Sequence, residues 1–346
     1  MNIQNALGIL ISGNDLSYDD CSEIFKRIMA NMETEMDQGA FLAAITAKGA
    51  SPDEIASICN VIRDHYTNKT DICTGLPLVE NSGTGMDTFK TFNISTAASI
   101  AAASCGIAFA RHDSRGITSG CGAVDVCEAL GINVECDVET VRKSIEVCGL
   151  GVFNGMSGKV HPDGLSRILS KMHFGSVLNI AASLASPTKC DYALRGVNDP
   201  SSIKEVANLM NKLGYKKVMV IHGFMEDGTP GMDEATTLGR TIYTMIDEYG
   251  NETSSSFMPE EIGLERGSRQ MIETSSDPAK EAVRIRKILK GEASTDEENI
   301  TALNAGLILY LTGKTNSIQE GISMVMNGIK CGNAQRKLDE WISLQQ

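Results

Sequence analysis

Apolar side chains recur at intervals of three and four positions from residue 2 to about residue 70, a spacing that indicates helices. Phe41, Leu42 and Ile45 show this spacing. Start signals accompany it, because Ser51-Pro52-Asp53-Glu54 places a capping residue, a first-turn proline and two acids before the next apolar run. The sequence therefore predicts an N-terminal region that is entirely helical.

The pattern changes after residue 74, where short β-prone runs alternate with helical stretches. This alternation is typical of an α/β sheet. Among the predicted strands are residues 107–110, 176–180, 217–221 and 241–246. Helical periodicity returns near the end of the chain, at residues 277–289, 297–311 and 318–329. We therefore expect two packed regions, which a length of 346 residues also favours.

Composition and charge narrow the class of protein. The formal net charge of -13 argues against nucleic acid as a partner, because such binders depend on clustered Lys and Arg. The sequence has no apolar run near the ~20 residues that span a bilayer, and it begins without the pattern of a secretory signal. The ten cysteines form no CxxC pair and are interpreted as reduced thiols. We expect a cytoplasmic enzyme with no membrane partner.

The stretch Gly83-Thr84-Gly85-Met86-Asp87 follows a predicted strand and leads into an alanine-rich helix. Glycines let the backbone approach an anion, and Asn93, Ser95 and Thr96 lie where a helix N-terminus offers free N–H groups. Asp87 and Ser95 add oxygen atoms that suit a metal ion. The pattern predicts a phosphate site, with an ordinary tight turn as the alternative.

Two further loops carry charged groups. Residues 111–120 combine two guanidinium groups with several hydroxyls, which favours a clamp for phosphate or carboxylate over a solvated basic turn. Asp233 and Glu234 are adjacent in a glycine-containing loop. Adjacent acids in a loop are usually only solvated, but Mg²⁺ prefers carboxylate and phosphate oxygens together, so a nearby phosphate site makes them metal candidates.

Taken in order, these motifs resemble the anthranilate phosphoribosyltransferase family. The stretch 125–131 and His161-Pro162 also look like that family, and the resemblance covers nearly the whole chain. It implies a small helical domain at residues 1–74, joined by helices from about residue 163 to residue 186. It implies a larger α/β phosphoribosyl-binding domain at residues 75–346, with a central mixed sheet of the nucleoside phosphorylase and phosphoribosyltransferase type.

The resemblance also implies an activity. A glycosyltransferase of the pentosyltransferase class would move the phosphoribosyl group of phosphoribosyl pyrophosphate (PRPP) to an aromatic amine and release pyrophosphate, as in tryptophan biosynthesis. Mg²⁺ would be the cofactor, and the protein would be a homodimer. No general acid or base is assigned, because metal and N–H groups aimed at the leaving diphosphate would stabilise the transition state.

Residue roles follow from the same resemblance. Donor binding is assigned to Gly83, Thr84, Gly85, Asp87, Thr91, Asn93, Ser95, Thr96, Arg111, Ser114, Thr118 and Ser119. Metal binding is assigned to Asp87, Ser95, Asp233 and Glu234. Acceptor binding is assigned to Gly83, His112, Arg115, His161, Arg167 and Lys171.

The departures from the family lie on the acceptor side. Arg111, Asp113 and Ser114 replace the Lys, Gly and Asn of the family's second loop. Leu169 stands where the family places an Arg that pairs with the anthranilate carboxylate. A small shift of this helix would let Arg167 or Lys171 take the place of that Arg. The family's Gly-Pro-Leu-Thr-Asn-Pro turn reads Ala-Ser-Leu-Ala-Ser-Pro at residues 182–187, and Met86 replaces a loop glycine.

Three alternatives stay open at this point. In the first, the enzyme uses a different aromatic or heterocyclic acceptor in place of anthranilate. In the second, the chain is a non-catalytic binding protein with the same fold. A nucleoside phosphorylase shares the fold as well, although its Lys-His-Ser-Thr-Gly-Gly loop is absent from the sequence.

Overall fold

The computed structural model describes residues 1–116 and 120–346. Its first four helices form an N-terminal bundle, and each begins after a side chain that accepts a hydrogen bond from the first turn. Ser51 and Glu54 make a reciprocal capping box. The predicted helical N-terminal region is thereby confirmed. The bundle contains α1 (Ile3–Ile11), α2 (Tyr18–Met29), α3 (Glu35–Lys48) and α4 (Pro52–His65).

A mixed sheet forms the centre of the remaining chain, in the order β3-β2-β1-β4-β5-β7-β8, with β6 paired to β5. The first five strands of this order are parallel, and the pairs of β5 with β6, β5 with β7 and β7 with β8 are antiparallel. The expected α/β fold with a mixed central sheet is confirmed. The described strands are β1 (Leu78–Ser82), β2 (Ala108–Asp113), β3 (Leu150–Asn154), β4 (Tyr192–Gly196), β5 (Lys217–Phe224), β6 (Pro230–Met232), β7 (Thr241–Ile246) and β8 (Glu252–Phe257).

Helices cover both faces of this sheet. Alternate residues of β4 and β5 belong to different hydrophobic clusters, as Leu194 and Met219 on one face and Ala193 and Val218 on the other show. The helices outside the bundle are α5 (Ile94–Ala103), α6 (Ala123–Ala129), α7 (Val138–Cys148), α8 (Leu165–Leu169), α9 (Leu178–Ala181), α10 (Ile203–Lys212), α11 (Arg269–Ile272), α12 (Pro278–Lys290), α13 (Thr295–Leu311), α14 (Ile318–Lys330) and α15 (Asn333–Leu344). Short 3-10 turns occupy Pro200–Ser202 and Pro259–Ile262.

The N-terminal bundle shares its hydrophobic cluster with the segment that contains α8 and α9. Leu165, Leu169 and Leu178 belong to the same buried cluster as Phe25 and Phe41. This cluster covers one face of the sheet, while α5 and the C-terminal helices cover the other. The domain limits at residues 74 and 75 stay a prediction.

The predicted strand at residues 176–180 is wrong, because this segment forms α9. Val177, Leu178 and Ile180 make a short apolar run, which periodicity alone does not distinguish from a buried helical turn. The N–H of Leu178 donates to Ser176 Oγ at 3.2 Å, and the N–H of Ser176 donates to Asn179 Oδ1 at 2.9 Å. These side-chain bonds favour a helix start over an extended chain.

The carboxyl ends of the parallel strands meet at one edge of the sheet, and they fix where a site can form. The glycine loop follows β1, residues 114–116 follow β2, and Gly155 follows β3. This edge faces the α8 and α9 segment, since Asn179 Nδ2 donates to the carbonyl of Thr84 at 3.1 Å. None of the helices in the described part of the chain is both long and apolar enough to cross a bilayer.

Candidate active site

A single cleft at this edge brings most of the predicted site residues together. The predicted residues that line it are Gly83, Thr84, Gly85, Asp87, Thr91, Asn93, Ser95, His112, Ser114, Arg115, Asp233 and Glu234. They come from the end of β2, from loops after β1, β2 and β6, and from the start of α5. Thr118 and Ser119 were also predicted to bind the donor, and they lie outside the described residues.

The glycine loop is held against Asp233. Asp233 Oδ2 accepts hydrogen bonds from Thr84 Oγ1 at 2.8 Å and from the N–H of Gly85 at 2.7 Å. Gly85 has a φ of 66°, which a side chain would strain. A Cβ atom at Gly83 would lie 2.4 Å from Asp233 Oδ1. Both glycines are therefore required by the local geometry, one by its dihedral angle and the other by a close approach.

Glu234 lies at the N-terminus of α5. Its Oε1 accepts from the N–H of Ser95 at 3.1 Å, and its Oε2 accepts from Thr91 Oγ1 at 3.0 Å. An N–H at a helix start, assisted by the helix dipole, is the kind of group that binds phosphate. A carboxylate and an anion-binding helix end therefore share this corner of the cleft, which suits a bridging cation.

Burial, and then the crowding of carboxylates, raises the pKa values of Asp87 and Glu234. Burial, and then the charge of Asp233, raise the pKa of Asp87 to about 7, although Lys90 opposes the shift. Burial, followed by the charges of Asp233 and Asp87, raises the pKa of Glu234 well above its usual range. A divalent cation would relieve the repulsion among these three groups.

The oxygen atoms in the cleft suit a Mg²⁺ ion that is bound by both the protein and a substrate. They do not suit a metal site made of protein ligands alone. Across residues 1–116 and 120–346, His, Cys, Asp and Glu side chains form no group of three or more arranged to hold a metal by themselves. Mg²⁺ is usually bound through one or two carboxylates plus substrate phosphates. Asp87, Asp233, Glu234 and the Ser95 hydroxyl all line the cleft and supply oxygen ligands of this kind.

Arg111 and Thr96 lie behind the cleft wall and do not line it. The Arg111 side chain is buried, and its Nε donates to Asp113 Oδ2 at 2.8 Å. Its Nη1 donates to the carbonyl of Ser95 at 2.8 Å, and its Nη2 donates to Thr96 Oγ1 at 3.3 Å. Arg111 thus ties the end of β2 to the first turn of α5 and supports the positions of Ser95 and Asp113.

The two predicted histidines form a buried pair. His112 lines the cleft, and its Nε2 lies 2.8 Å from Nε2 of His161, which is fully buried. His161 Nδ1 lies 2.9 Å from Thr67 Oγ1 in the segment after α4. Burial lowers the pKa of His112 to about 4 and that of His161 to about 3, so both rings are neutral near pH 7. His161 therefore supports His112 from behind and does not line the cleft.

The predicted acceptor cations are not brought together. Arg167 Nη1 donates to Gln38 Oε1 at 2.8 Å and its Nη2 donates to the carbonyl of Ile28 at 2.8 Å, so this side chain is bonded to the N-terminal bundle. Lys171 pairs with Glu35 on the exposed surface. Neither residue lines the cleft. Arg115 does line it, and it pairs with Asp125, Glu128 and Glu135.

The part of the cleft opposite the glycine loop is lined by side chains that were not predicted to bind. We call the group of Leu165, Leu169, Leu178 and Ala182 the apolar wall. Ser82, Ser183 and Lys90 were also missed. Leu169 and Ser183 carried a signal in the sequence, because both stand at positions that depart from the family pattern. Lys90, whose Nζ donates to Asp87 Oδ1 at 2.8 Å, carried none.

Comparison with known proteins agrees with this architecture. A family model described as "Glycosyl transferase family, a/b domain" matches residues 75–335, and one described as "Glycosyl transferase family, helical bundle domain" matches residues 4–66. The anthranilate phosphoribosyltransferase of Methanocorpusculum labreanum is 33% identical over 333 residues, covering 96% of this chain and 95% of the relative. That of Dehalococcoides mccartyi is 32% identical over 347 residues, covering 99% and 98%.

Solved structures show the same likeness. The anthranilate phosphoribosyltransferase from Thermus thermophilus has a TM-score of 0.83 and 27% identity, with 98% of this chain and 99% of that chain covered. The Saccharomyces cerevisiae enzyme, solved in complex with PRPP and Mg, has a TM-score of 0.85 at 21% identity, with 99% and 97% covered, and so shows the fold. Fold and cleft together define a glycosyltransferase-type enzyme. The chain belongs to the anthranilate phosphoribosyltransferase family.

Proposed function

We propose that the protein transfers the phosphoribosyl group of PRPP to the amino group of anthranilate, releases pyrophosphate, and binds Mg²⁺ beside the donor. One observation carries the proposal: the glycine loop, the N-terminus of α5 and the acids Asp233 and Glu234 meet in a single cleft. The relatives that share the fold over the whole chain are named for this reaction.

We assign donor binding to one side of the cleft and acceptor binding to the other. On the donor side we assign the diphosphate and its metal to the glycine loop, Asp87, Thr91, Asn93, Ser95, Asp233 and Glu234. Thr96 and Arg111 hold this group from behind, and Ser114, with Thr118 and Ser119 by resemblance alone, completes the donor set. On the acceptor side the aromatic ring would lie against the apolar wall beside His112.

The leaving diphosphate gains negative charge as the bond between the ribose and the diphosphate breaks. Bound with the donor, Mg²⁺ would supply positive charge that stabilises this change. Oriented N–H groups at the N-terminus of α5 would stabilise the same charge more in the transition state than in the ground state. An aromatic amine is already a neutral nucleophile, so holding it in line with the donor provides much of the remaining acceleration.

Incubation of the protein with PRPP, Mg²⁺ and anthranilate tests the proposal. Loss of anthranilate fluorescence and stoichiometric release of pyrophosphate are expected, and omission of Mg²⁺ should stop both. If pyrophosphate is released with another aromatic amine but not with anthranilate, that amine is the acceptor and anthranilate is not. Phosphate-dependent release of a base from a nucleoside would reassign the protein as a phosphorylase.

Assembly and location complete the proposal. Ile11, Met32 and Met36 expose apolar side chains on the N-terminal bundle, and Met36 is 85% exposed, which supports a homodimer formed through this region. Met36→Glu should shift the mass measured by light scattering towards that of one chain. In the described part of the chain the nine cysteines other than Cys121 are free thiols, which supports a cytoplasmic location.

A further inference from the structure

One cation lies directly behind the cleft wall and has no part in the donor site. Arg195 is in β4, level with Ser82 in the neighbouring strand β1. It is on the sheet face covered by the N-terminal bundle and the α8–α9 segment, since Ala193, two residues earlier, packs into their cluster. The side chain is 1% exposed. A buried guanidinium is costly unless its charge and its N–H groups find partners.

Two hydroxyl groups separate Arg195 from the cleft. Nη1 of Arg195 donates to Ser82 Oγ at 2.5 Å, and Nη2 donates to Ser183 Oγ. Ser82 and Ser183 both line the cleft. Because Ser82 Oγ accepts from Arg195 and donates to no residue in the described part of the chain, its O–H is available to a ligand. Ser183 donates to the carbonyls of Asn179 and Ile180 and is held at the edge of the apolar wall.

The guanidinium is incompletely satisfied in spite of these bonds. Among the described residues, its Nε finds no hydrogen-bond partner. Glu80 is the counter-charge that faces it, but Glu80 Oε1 is 3.5 Å from Arg195 Nη1 and accepts no hydrogen bond from the described residues, while Tyr215 donates to the other oxygen. Burial raises the pKa of Glu80, which weakens it as a full counter-ion. Positive charge is therefore left over behind Ser82 and Ser183, and it favours an anion on the cleft side of the two hydroxyls.

The other cations near the cleft do not supply this charge to the apolar wall. Lys90 pairs with Asp87 in the glycine loop, and Arg115 is shared among three acids. Arg167 and Lys171 are bonded to the N-terminal bundle. Within residues 1–116 and 120–346, Arg195 is thus the cation placed to act on a ligand that lies against the apolar wall.

We propose that Arg195, held in place by Ser183 and acting through the hydroxyl group of Ser82, forms the subsite that recognises the carboxylate of the aromatic acceptor. This inference rests on the proposed function, because it names a positioning residue for the acceptor of that reaction. The ring lies on the apolar wall, and its carboxylate accepts a hydrogen bond from Ser82, while Ser183, whose O–H donates to the carbonyls of Asn179 and Ile180, holds the guanidinium in place. The Ser82 O–H is a stronger donor because its oxygen accepts from a guanidinium.

The test uses a pair of variants that separates charge from packing. Glu80→Gln is the reference, and Glu80→Gln with Arg195→Met removes the guanidinium without leaving a buried carboxylate unpaired. Binding of anthranilate in the presence of PRPP and Mg²⁺ is followed by its own fluorescence. The neutral analogue 2-aminobenzamide, which keeps the ring and amine, is measured in the same way, and thermal unfolding shows that both variants are folded.

Loss of Arg195 should raise the Kd for anthranilate at least about tenfold relative to Glu80→Gln. The Kd for 2-aminobenzamide and the KM for PRPP should change by less than about twofold. Arg195→Lys should recover part of the affinity, since it keeps the charge but not the planar fork. Ser82→Ala should reproduce the selective loss, because it removes the O–H that faces the ligand.

Three results would overturn the inference. Equal weakening of anthranilate and 2-aminobenzamide would show that Arg195 only supports the fold. A rise in the KM for PRPP in place of the Kd for anthranilate would assign Ser82 to a phosphate of the donor. A protein that releases pyrophosphate normally but binds 2-aminobenzamide as tightly as anthranilate would have no carboxylate subsite. Failure to release pyrophosphate with any acceptor would instead contradict the proposed function.

Discussion

At the donor side of the cleft, most of the groups assigned to PRPP lie close together in sequence, from Gly83 to Ser95, while Ser114, Asp233 and Glu234 come from elsewhere. At the apolar wall, the side chains come from α8, α9 and the turn after α9, and the cation behind them comes from β4. The donor side uses backbone N–H groups and a crowd of carboxylates, so few substitutions are tolerated. The acceptor side uses ring contacts and hydroxyl groups, so it can change its ligand while the donor chemistry stays the same.

The largest effect is expected from the two acids of the donor side. Asp233→Asn with Glu234→Gln should lower kcat/KM by about a thousandfold or more, because both the metal ligands and the bonds to Gly85 and Ser95 are weakened. Steady-state pyrophosphate release measures this loss.

Glu226→Gln with Asp227→Asn is a matched control, since this pair is exposed in the same part of the chain. The control should keep full activity. Unchanged kinetics in the Asp233 and Glu234 variant would remove these acids from the metal site.

Adding a single methyl group to the glycine loop should also lower the activity. In Gly83→Ala the new Cβ would lie 2.4 Å from Asp233 Oδ1, so the carboxylate or the loop has to move. A displacement of about 1 Å in a catalytic group costs about a hundredfold in rate. We expect a loss of that size in kcat/KM for PRPP.

Gly75→Ala adds the same atom in open space before β1 and should behave like the unmodified protein. Equal activity of Gly83→Ala and Gly75→Ala would show that the approach of Gly83 to Asp233 has no role in the reaction.

A smaller and more selective effect is expected at the apolar wall. Leu169→Ala removes part of the surface on which the ring lies, and loss of that contact should raise the KM for anthranilate by about tenfold. The KM for PRPP should stay within about twofold. Val147→Ala, which shortens an exposed side chain far from the cleft, serves as the control. Equal changes in both KM values would show that Leu169 supports the structure of the whole cleft and does not bind the acceptor.

The buried pair of His112 and His161 should affect stability more than activity. Both folded pKa values lie below the ordinary value of about 6.5, so the unfolded chain binds more protons between about pH 6.5 and pH 4. The free energy of unfolding should therefore fall as the pH is lowered through this range, by roughly 1 kcal/mol per pH unit for each histidine.

Urea unfolding at pH 7 and pH 5 measures this dependence. His161→Gln should make it shallower, whereas His65→Gln, which changes an exposed ring, should leave it unchanged. An identical pH dependence in both variants would contradict a neutral buried pair.

The same contrast explains what the sequence could predict. The glycine loop, the cap of α4 and the acids at 233 and 234 are local patterns, and each of them sets its geometry within a few residues. Arg195 is different, because nothing near it in sequence indicates that β4 places it beside Ser82 or that α9 brings Ser183 to its other side. Arg167 shows the converse: its sequence position suggested the acceptor, but Gln38 and the carbonyl of Ile28 bind its guanidinium.

Calorimetric titration of PRPP into the protein, with and without Mg²⁺, tests the central claim most directly. Mg²⁺ would link Asp87, Asp233 and Glu234 to the diphosphate, so we expect PRPP to bind with Mg²⁺ and to bind at least about a hundredfold more weakly without it. Asp233→Asn with Glu234→Gln should lose most of this difference. PRPP binding of equal affinity in both conditions would contradict a donor site built around these carboxylates.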